Sequence, residues 1–219
     1  MISAVIFDLD GLLVDSTPLQ LKASHKFLER FGKLHFTSHA GREGMRMIDI
    51  IEEYKDIYNL PGSVEELYQK RQEIFFDIAR RELELFPGAL RLLVQLKQRS
   101  LKLALATSGD RDYVQLIFEK FPELKNYFPV VITSEDVLRG KPDPEVFMKT
   151  AEQLGVKASE SVVLEDSANG VLAAKAAGMQ VICVPNQNYP DADYSKADKL
   201  FVSLEDVTET LNVTSKGAV

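Results

Sequence analysis

Beyond Phe86-Pro87-Gly88, short apolar runs alternate with helical patterns, and this alternation restricts the fold more than any other feature of the chain. Strands are predicted at Leu101 to Ala106, Val130 to Thr133, Val162 to Leu164 and Val181 to Val184. Helices are predicted between and around them, at Gly88 to Arg99, Asp110 to Phe121, Pro144 to Leu154 and Ala168 to Ala177. Val5, Ile6 and Phe7 add a further strand near the start of the chain. Strands spaced by single helices call for right-handed crossovers and a parallel sheet covered on both faces, an α/β, Rossmann-like, doubly wound core. Such sheets bind their ligands outside the carboxyl ends of the strands.

The polar residues at those ends are therefore the candidate site. Val5-Ile6-Phe7 runs into Asp8-Leu9-Asp10-Gly11, two carboxylates two positions apart. If buried together they need a cation or a proton to compensate them, and clustered hard oxygens suit Mg2+; the alternative is a turn in which Asp and Gly form only local hydrogen bonds. The next strand ends in Thr107-Ser108-Gly109-Asp110, either a cradle for a phosphate oxygen or a helix N-cap. Lys141 stands between Gly140 and Pro142, as a restrained functional lysine or as one on a surface turn. Glu165 and Asp166 follow the strand at Val162, and helix capping explains one acid there but not two.

Residues 17–83 carry helix signals without a convincing strand, opening at Thr17-Pro18 with a hydroxyl cap and an early proline. They read as a helical insertion, and residues 1–16 with 84–219 as the core. Within the insertion His39-Ala40-Gly41-Arg42-Glu43 interrupts the pattern. His25 reads as an ordinary surface or satisfied histidine, with His35 and His39 in a less regular stretch.

Composition removes several function classes. Of 219 residues 45% are hydrophobic, enough for a proper core, and a net charge of −7 without a long basic run argues against nucleic acid or an anionic membrane as partner. No apolar run reaches the length of a bilayer span, and the start lacks the charged region of a signal peptide, so a cytoplasmic location is expected. Cys183, the only cysteine, sits in an apolar run and reads as core filler; Asn212-Val213-Thr214 matches a glycosylation sequon by chance. No heptad pattern is present, and a monomer is the default.

Taken together, the four strand ends resemble the haloacid dehalogenase superfamily. Asp8-Leu9-Asp10-Gly11 is similar to its first motif, Thr107-Ser108 to its second, Lys141-Pro142 to its third and Glu165-Asp166 to its fourth, and the helical insertion resembles the α-helical cap of the branch that contains β-phosphoglucomutase and many small-molecule phosphatases. The resemblance implies that Asp8 is a nucleophile forming an aspartyl-phosphate and that Asp10 is the general acid and base. It implies a Mg2+ held by the Asp8 carboxylate, the Asp10 carbonyl and the Asp166 carboxylate, with Glu165 reaching it through water. Thr107, Ser108 and Lys141 would bind the phosphate, and Arg42, with Arg46 one helical turn on, would reach a small phosphorylated substrate from the cap. The cap would close about Val14 to Thr17 and Glu84 to Gly88.

Within the superfamily, carbon–halogen and phosphonate cleavers usually lack an aspartate at the place of Asp10, which leaves phosphatase against phosphomutase. Where the resembling mutases carry a serine and a lysine for a second phosphate, this chain has Gly109 and Asp110; where they carry a histidine early in the cap, it has Gln20. The expectation is a phosphomonoester hydrolase, with a sugar phosphomutase as the alternative. A catalytically retired binding or regulatory protein is disfavoured because every motif residue is in place.

Overall fold

The computed structural model describes residues 2–33 and 41–208. Six parallel strands form one sheet: β1 (Ala4–Phe7), β2 (Lys102–Ala106), β3 (Val130–Ile132), β4 (Ser161–Glu165), β5 (Gln180–Cys183) and β6 (Lys199–Leu200), in the order β3-β2-β1-β4-β5-β6. The strand order reverses at β1, which pairs with β2 on one side and β4 on the other, Phe7 lying opposite both Leu105 and Leu164. Asp8 thus emerges at the switch point of the sheet, where adjoining loops leave in opposite directions and open a crevice.

The alternation of side chains assigns the two faces. Val5, Phe7, Leu103, Leu105, Val162 and Leu164 enter one core with helices α4 (Ala89–Gln98) and α5 (Arg111–Lys120). Ala4, Ile6, Ala104, Ala106 and Val163 enter the other, beneath α7 (Glu145–Leu154) and the alanine-rich α8 (Ala168–Ala176). Both faces are buried, so the strands read as continuous apolar runs, and each large core side chain such as Phe7 stabilises the fold by about 1.5–3 kcal/mol.

Three helices, α1 (Thr17–Glu29), α2 (Met47–Tyr58) and α3 (Val64–Glu82), stand between β1 and α4. Phe27, Ile51, Tyr54, Leu67, Phe75 and Ile78 form their shared apolar centre. Arg71 is fully buried there, donating to the Gln20 carbonyl at 2.8 Å and the Gln72 Oε1 at 3.0 Å and lying over the Phe75 ring, so α3 is tied to α1. The chain leaves and re-enters the sheet layer along two adjacent strands of backbone, Asp15 N–H donating to Glu84 O at 2.9 Å and Phe86 N–H to Leu13 O at 2.9 Å.

Some local expectations change. Helix α1 takes no side-chain cap from Ser16 or Thr17, because both hydroxyls face the crevice instead: Ser16 Oγ donates to Asp10 and Thr17 Oγ1 accepts from Asn186. The short helix α6 (Pro122–Lys125) and strand β6 were not signalled by periodicity, being too short to show one. His35, His39 and Asn212 lie outside the described residues, while His25 is exposed on α1.

Candidate active site

Four strand-end loops converge on one crevice. Lys141 is buried with its Nζ 2.5 Å from Asp8 Oδ1 and 2.6 Å from Glu165 Oε1, over the Phe147 ring at 4.9 Å. It is no surface-turn lysine. Burial disfavours its charge, yet the carboxylates of Asp8 and Glu165 outweigh that cost and hold its pKa above the ordinary lysine range. Glu165 turns its other oxygen inward, where Oε2 accepts from the Asp166 N–H at 2.8 Å, the Ser167 N–H at 2.8 Å and the Ser167 hydroxyl at 2.9 Å. Glu165 therefore anchors the loop that carries Asp166 and steers Lys141. A side chain at Gly170 would collide with it, the added Cβ falling 1.7 Å from Glu165 Oε1.

Asp8, Glu165 and Asp166 each place a carboxylate oxygen within 4.8 Å of the others, all three buried. Burial, joined by the Glu165 and Asp10 carboxylates and opposed by Lys141, pushes the Asp8 carboxyl up to about 8. Burial and then its neighbours Glu165 and Asp8 carry Asp166 well above the usual range. One ammonium does not neutralise this group, and an all-oxygen cluster short of positive charge fits a hard divalent cation such as Mg2+. Asn186, which donates to Asp166 Oδ2 at 2.7 Å and to Thr17 Oγ1 at 2.9 Å, fixes the orientation of Asp166.

Asp10 points from the same loop toward the helical unit. Its Oδ1 accepts from the Ser16 hydroxyl at 2.5 Å and the Tyr113 hydroxyl at 2.7 Å. Burial raises its pKa, while Ser16, Tyr113 and Gln20 hold it back by bonding the charged form.

At the end of β2, Thr107 Oγ1 accepts from the Gly109 N–H at 2.9 Å, which leaves its hydroxyl proton for another acceptor. Ser108 lines the crevice, but its hydroxyl donates to Gly44 O at 2.6 Å, and Asp110 caps α5 by accepting from the Tyr113 N–H at 2.7 Å. The helix-cap reading of this turn thus falls to Asp110.

The arginines part company. Arg42 lines the crevice with its Nε held 2.5 Å from Glu53. Arg46 does not line it: its Nε and Nη2 meet Asp49 at 2.8 and 2.7 Å, and its Nη1 donates to Leu138 O at 3.2 Å. The two were expected one helical turn apart on one face. Helix α2 begins only at Met47 and Arg46 precedes it in an extended conformation, so the helical spacing does not apply.

Three residues of the site went unread in the sequence. Asn186 follows the strand end of β5, where the rule applied to the other strands would have found it. Tyr113 belongs to the buried stripe Tyr113, Val114, Leu116 and Ile117 of α5 and was hidden among apolar neighbours. Gln20 stands where the resembling mutases carry a histidine, and nothing else in the sequence marks it.

The model of the haloacid dehalogenase-like hydrolases matches residues 5–184. This chain belongs to that family. A probable pseudouridine-5'-phosphatase of Drosophila melanogaster is 36% identical over 207 residues, covering 92% of this chain and 89% of that protein. A phosphorylated carbohydrates phosphatase of Thermotoga maritima is 34% identical, covering 82% of this chain and 83% of its relative. Among solved structures, CbbY of Rhodobacter sphaeroides in complex with phosphate superimposes with a TM-score of 0.84 at 25% identity, over 94% of this chain and 96% of that one.

Proposed function

We propose that this family member is a Mg2+-dependent phosphomonoester hydrolase that acts on a small phosphorylated metabolite through an aspartyl-phosphate. The observation that carries the reading is the meeting, in one buried crevice, of Asp8 beside Lys141 with Asp10 beside two hydroxyl donors. The relatives named as phosphatases of small phosphorylated molecules support the same class.

In this reading Asp8 attacks phosphorus in line, and Asp10 gives its proton to the leaving alkoxide. Asp10 then takes a proton from the water that attacks the aspartyl-phosphate, which releases phosphate and restores both carboxyls. Lys141 and the Thr107 hydroxyl donate to the phosphoryl oxygens, countering charge where it builds. Asp8, Asp166 and the Asp10 carbonyl would hold Mg2+, which supplies positive charge to the phosphoryl group and orients it. The upward shift of the Asp10 pKa favours the acid half of the cycle, in which it must hold a proton. The helical unit 17–83 acts as the cap that excludes water from the first step.

The mutase alternative loses support at Asp110. In place of a second anion site, its carboxylate accepts from Tyr68 and, at 2.9 Å, from Gln72 Nε2, which makes it a clasp between core and cap. Phosphate release from a panel of phosphomonoesters, with Mg2+ or with EDTA, tests the proposal: metal-dependent release that vanishes in Asp8→Asn is expected. Isomerisation of a sugar phosphate without net release would replace it with the mutase reading.

A further inference from the structure

The polar groups on the cap side of the crevice are unbalanced in one direction. Several of its donors are spent within the protein: the Tyr68 hydroxyl and Gln72 Nε2 on Asp110, the Ser108 hydroxyl on Gly44 O, the Tyr113 hydroxyl on Asp10 and the Arg42 Nε on Glu53. Two acceptors are left over. Glu43 is only 7% exposed, yet its Oε2 has no hydrogen-bond partner among the described residues, and the buried Oε1 of Gln20 has none there either; both residues line the crevice. A buried carboxylate oxygen without a partner is costly, and such atoms persist where something outside the chain satisfies them.

Glu43 is also held in place. Its carbonyl accepts from Asn169 Nδ2 at 2.9 Å, and the next residue, Gly44, is pressed onto the core so closely that a Cβ there would lie 2.4 Å from Ser167 Oγ. The Gly44 carbonyl is bound in turn by Ser108. The Glu43 segment is thus clamped between the loops after β2 and β4, the two that flank the phosphate position in the proposed mechanism.

We infer that Glu43 selects the leaving group: its free oxygen accepts a hydrogen bond from a hydroxyl or N–H on the substrate, and its charge turns away substrates bearing a second anion. The preferred class is then a phosphomonoester whose leaving group is uncharged and rich in donors, such as a sugar or polyol. Phosphorylated carboxylic acids and bisphosphates of similar size are disfavoured, since like charges brought together out of water repel strongly. The inference rests on the phosphatase reading and gives that activity a selectivity.

The test compares kcat/KM for ribose 5-phosphate and glycerol 3-phosphate with kcat/KM for 3-phosphoglycerate and fructose 1,6-bisphosphate, in the intact protein and in Glu43→Gln and Glu43→Asp. Hydrolysis of p-nitrophenyl phosphate by the intact protein reports the underlying chemistry: its absence, with every other ester also uncut, overturns the phosphatase reading itself. With that chemistry present, the expected result is a neutral-over-anionic ratio of about tenfold or more, falling at least about fivefold in Glu43→Gln, which removes the charge. Glu43→Asp keeps the charge but withdraws the acceptor, so it raises KM for the neutral esters while the anionic ones stay poor. An unchanged ratio in a folded Glu43→Gln variant, or an intact protein that prefers the anionic esters, overturns the inference and leaves the phosphatase reading standing.

Discussion

Replacing Tyr113 by Phe removes one oxygen and leaves the ring packed against Phe75 and Phe76, with centroids 5.1 and 6.4 Å away. The lost group is the 2.7 Å hydroxyl donor to Asp10 Oδ1, the shorter 2.5 Å bond from Ser16 remaining. A hydrogen bond to a charged acceptor is worth about 1.5–3 kcal/mol, and a pKa unit corresponds to about 1.4 kcal/mol, so the Asp10 pKa should rise by about 1–2 units. The sign comes from the donor stabilising the ionised form more than the neutral one. In the proposed mechanism the first chemical step needs Asp10 protonated, so the alkaline limb of kcat/KM for an alkyl phosphate should move up by about 1–2 pH units. With p-nitrophenyl phosphate, whose leaving group needs little help from an acid, the alkaline limb should move less. Profiles of the variant and the parent that superimpose, with a rate loss equal at every pH, would show that Tyr113 only packs and would refute the reasoning.

Lys141→Ala leaves Asp8 and Glu165 buried without their ammonium, a change of about 3–5 kcal/mol for a buried pair that should lower the melting temperature by roughly 6–20 °C and abolish phosphate release; calorimetry that finds no shift would contradict the burial argument. The carboxyls of Asp8, Asp10 and Asp166 are all raised in the folded chain, so it holds more protons than the unfolded chain above the ordinary aspartate range. Stability without metal should therefore fall as pH rises from about 4 toward about 8, and added Mg2+, which competes with those protons, should raise the melting temperature more at pH 8 than at pH 5. A metal effect that is larger at the acid end would contradict the assignment.

The acids at Asp8, Asp10, Glu165 and Asp166 were legible because the end of a buried strand is a local event: an apolar run stops, and the next polar residues reach the crevice. The same logic reached Thr107 and Lys141, although only the fold shows that Lys141 is buried between two carboxylates. Tyr113 and Glu43, by contrast, depend on approach across the chain. Tyr113 reaches Asp10 from a helix whose stripe is otherwise apolar, and Glu43 gains its place only because Ser108 and Asn169 hold its segment. Arg46 was misplaced for a local reason: the spacing assumed helix from Arg42 to Arg46, and the helix begins only at Met47. Glu165 was expected at the metal through water, while its carboxylate is bonded to Lys141 and the Ser167 loop.

Phosphorylation of Asp8 is the step on which the whole mechanism depends. Acid quenching during turnover, reduction with labelled borohydride and peptide mapping would trap an acyl phosphate where it forms. The mechanism predicts label in the peptide carrying Asp8, dependent on substrate and Mg2+ and absent in Asp8→Asn. Label at a different carboxylate, or an Asp8→Asn variant that still releases phosphate at the rate of the parent, would contradict it.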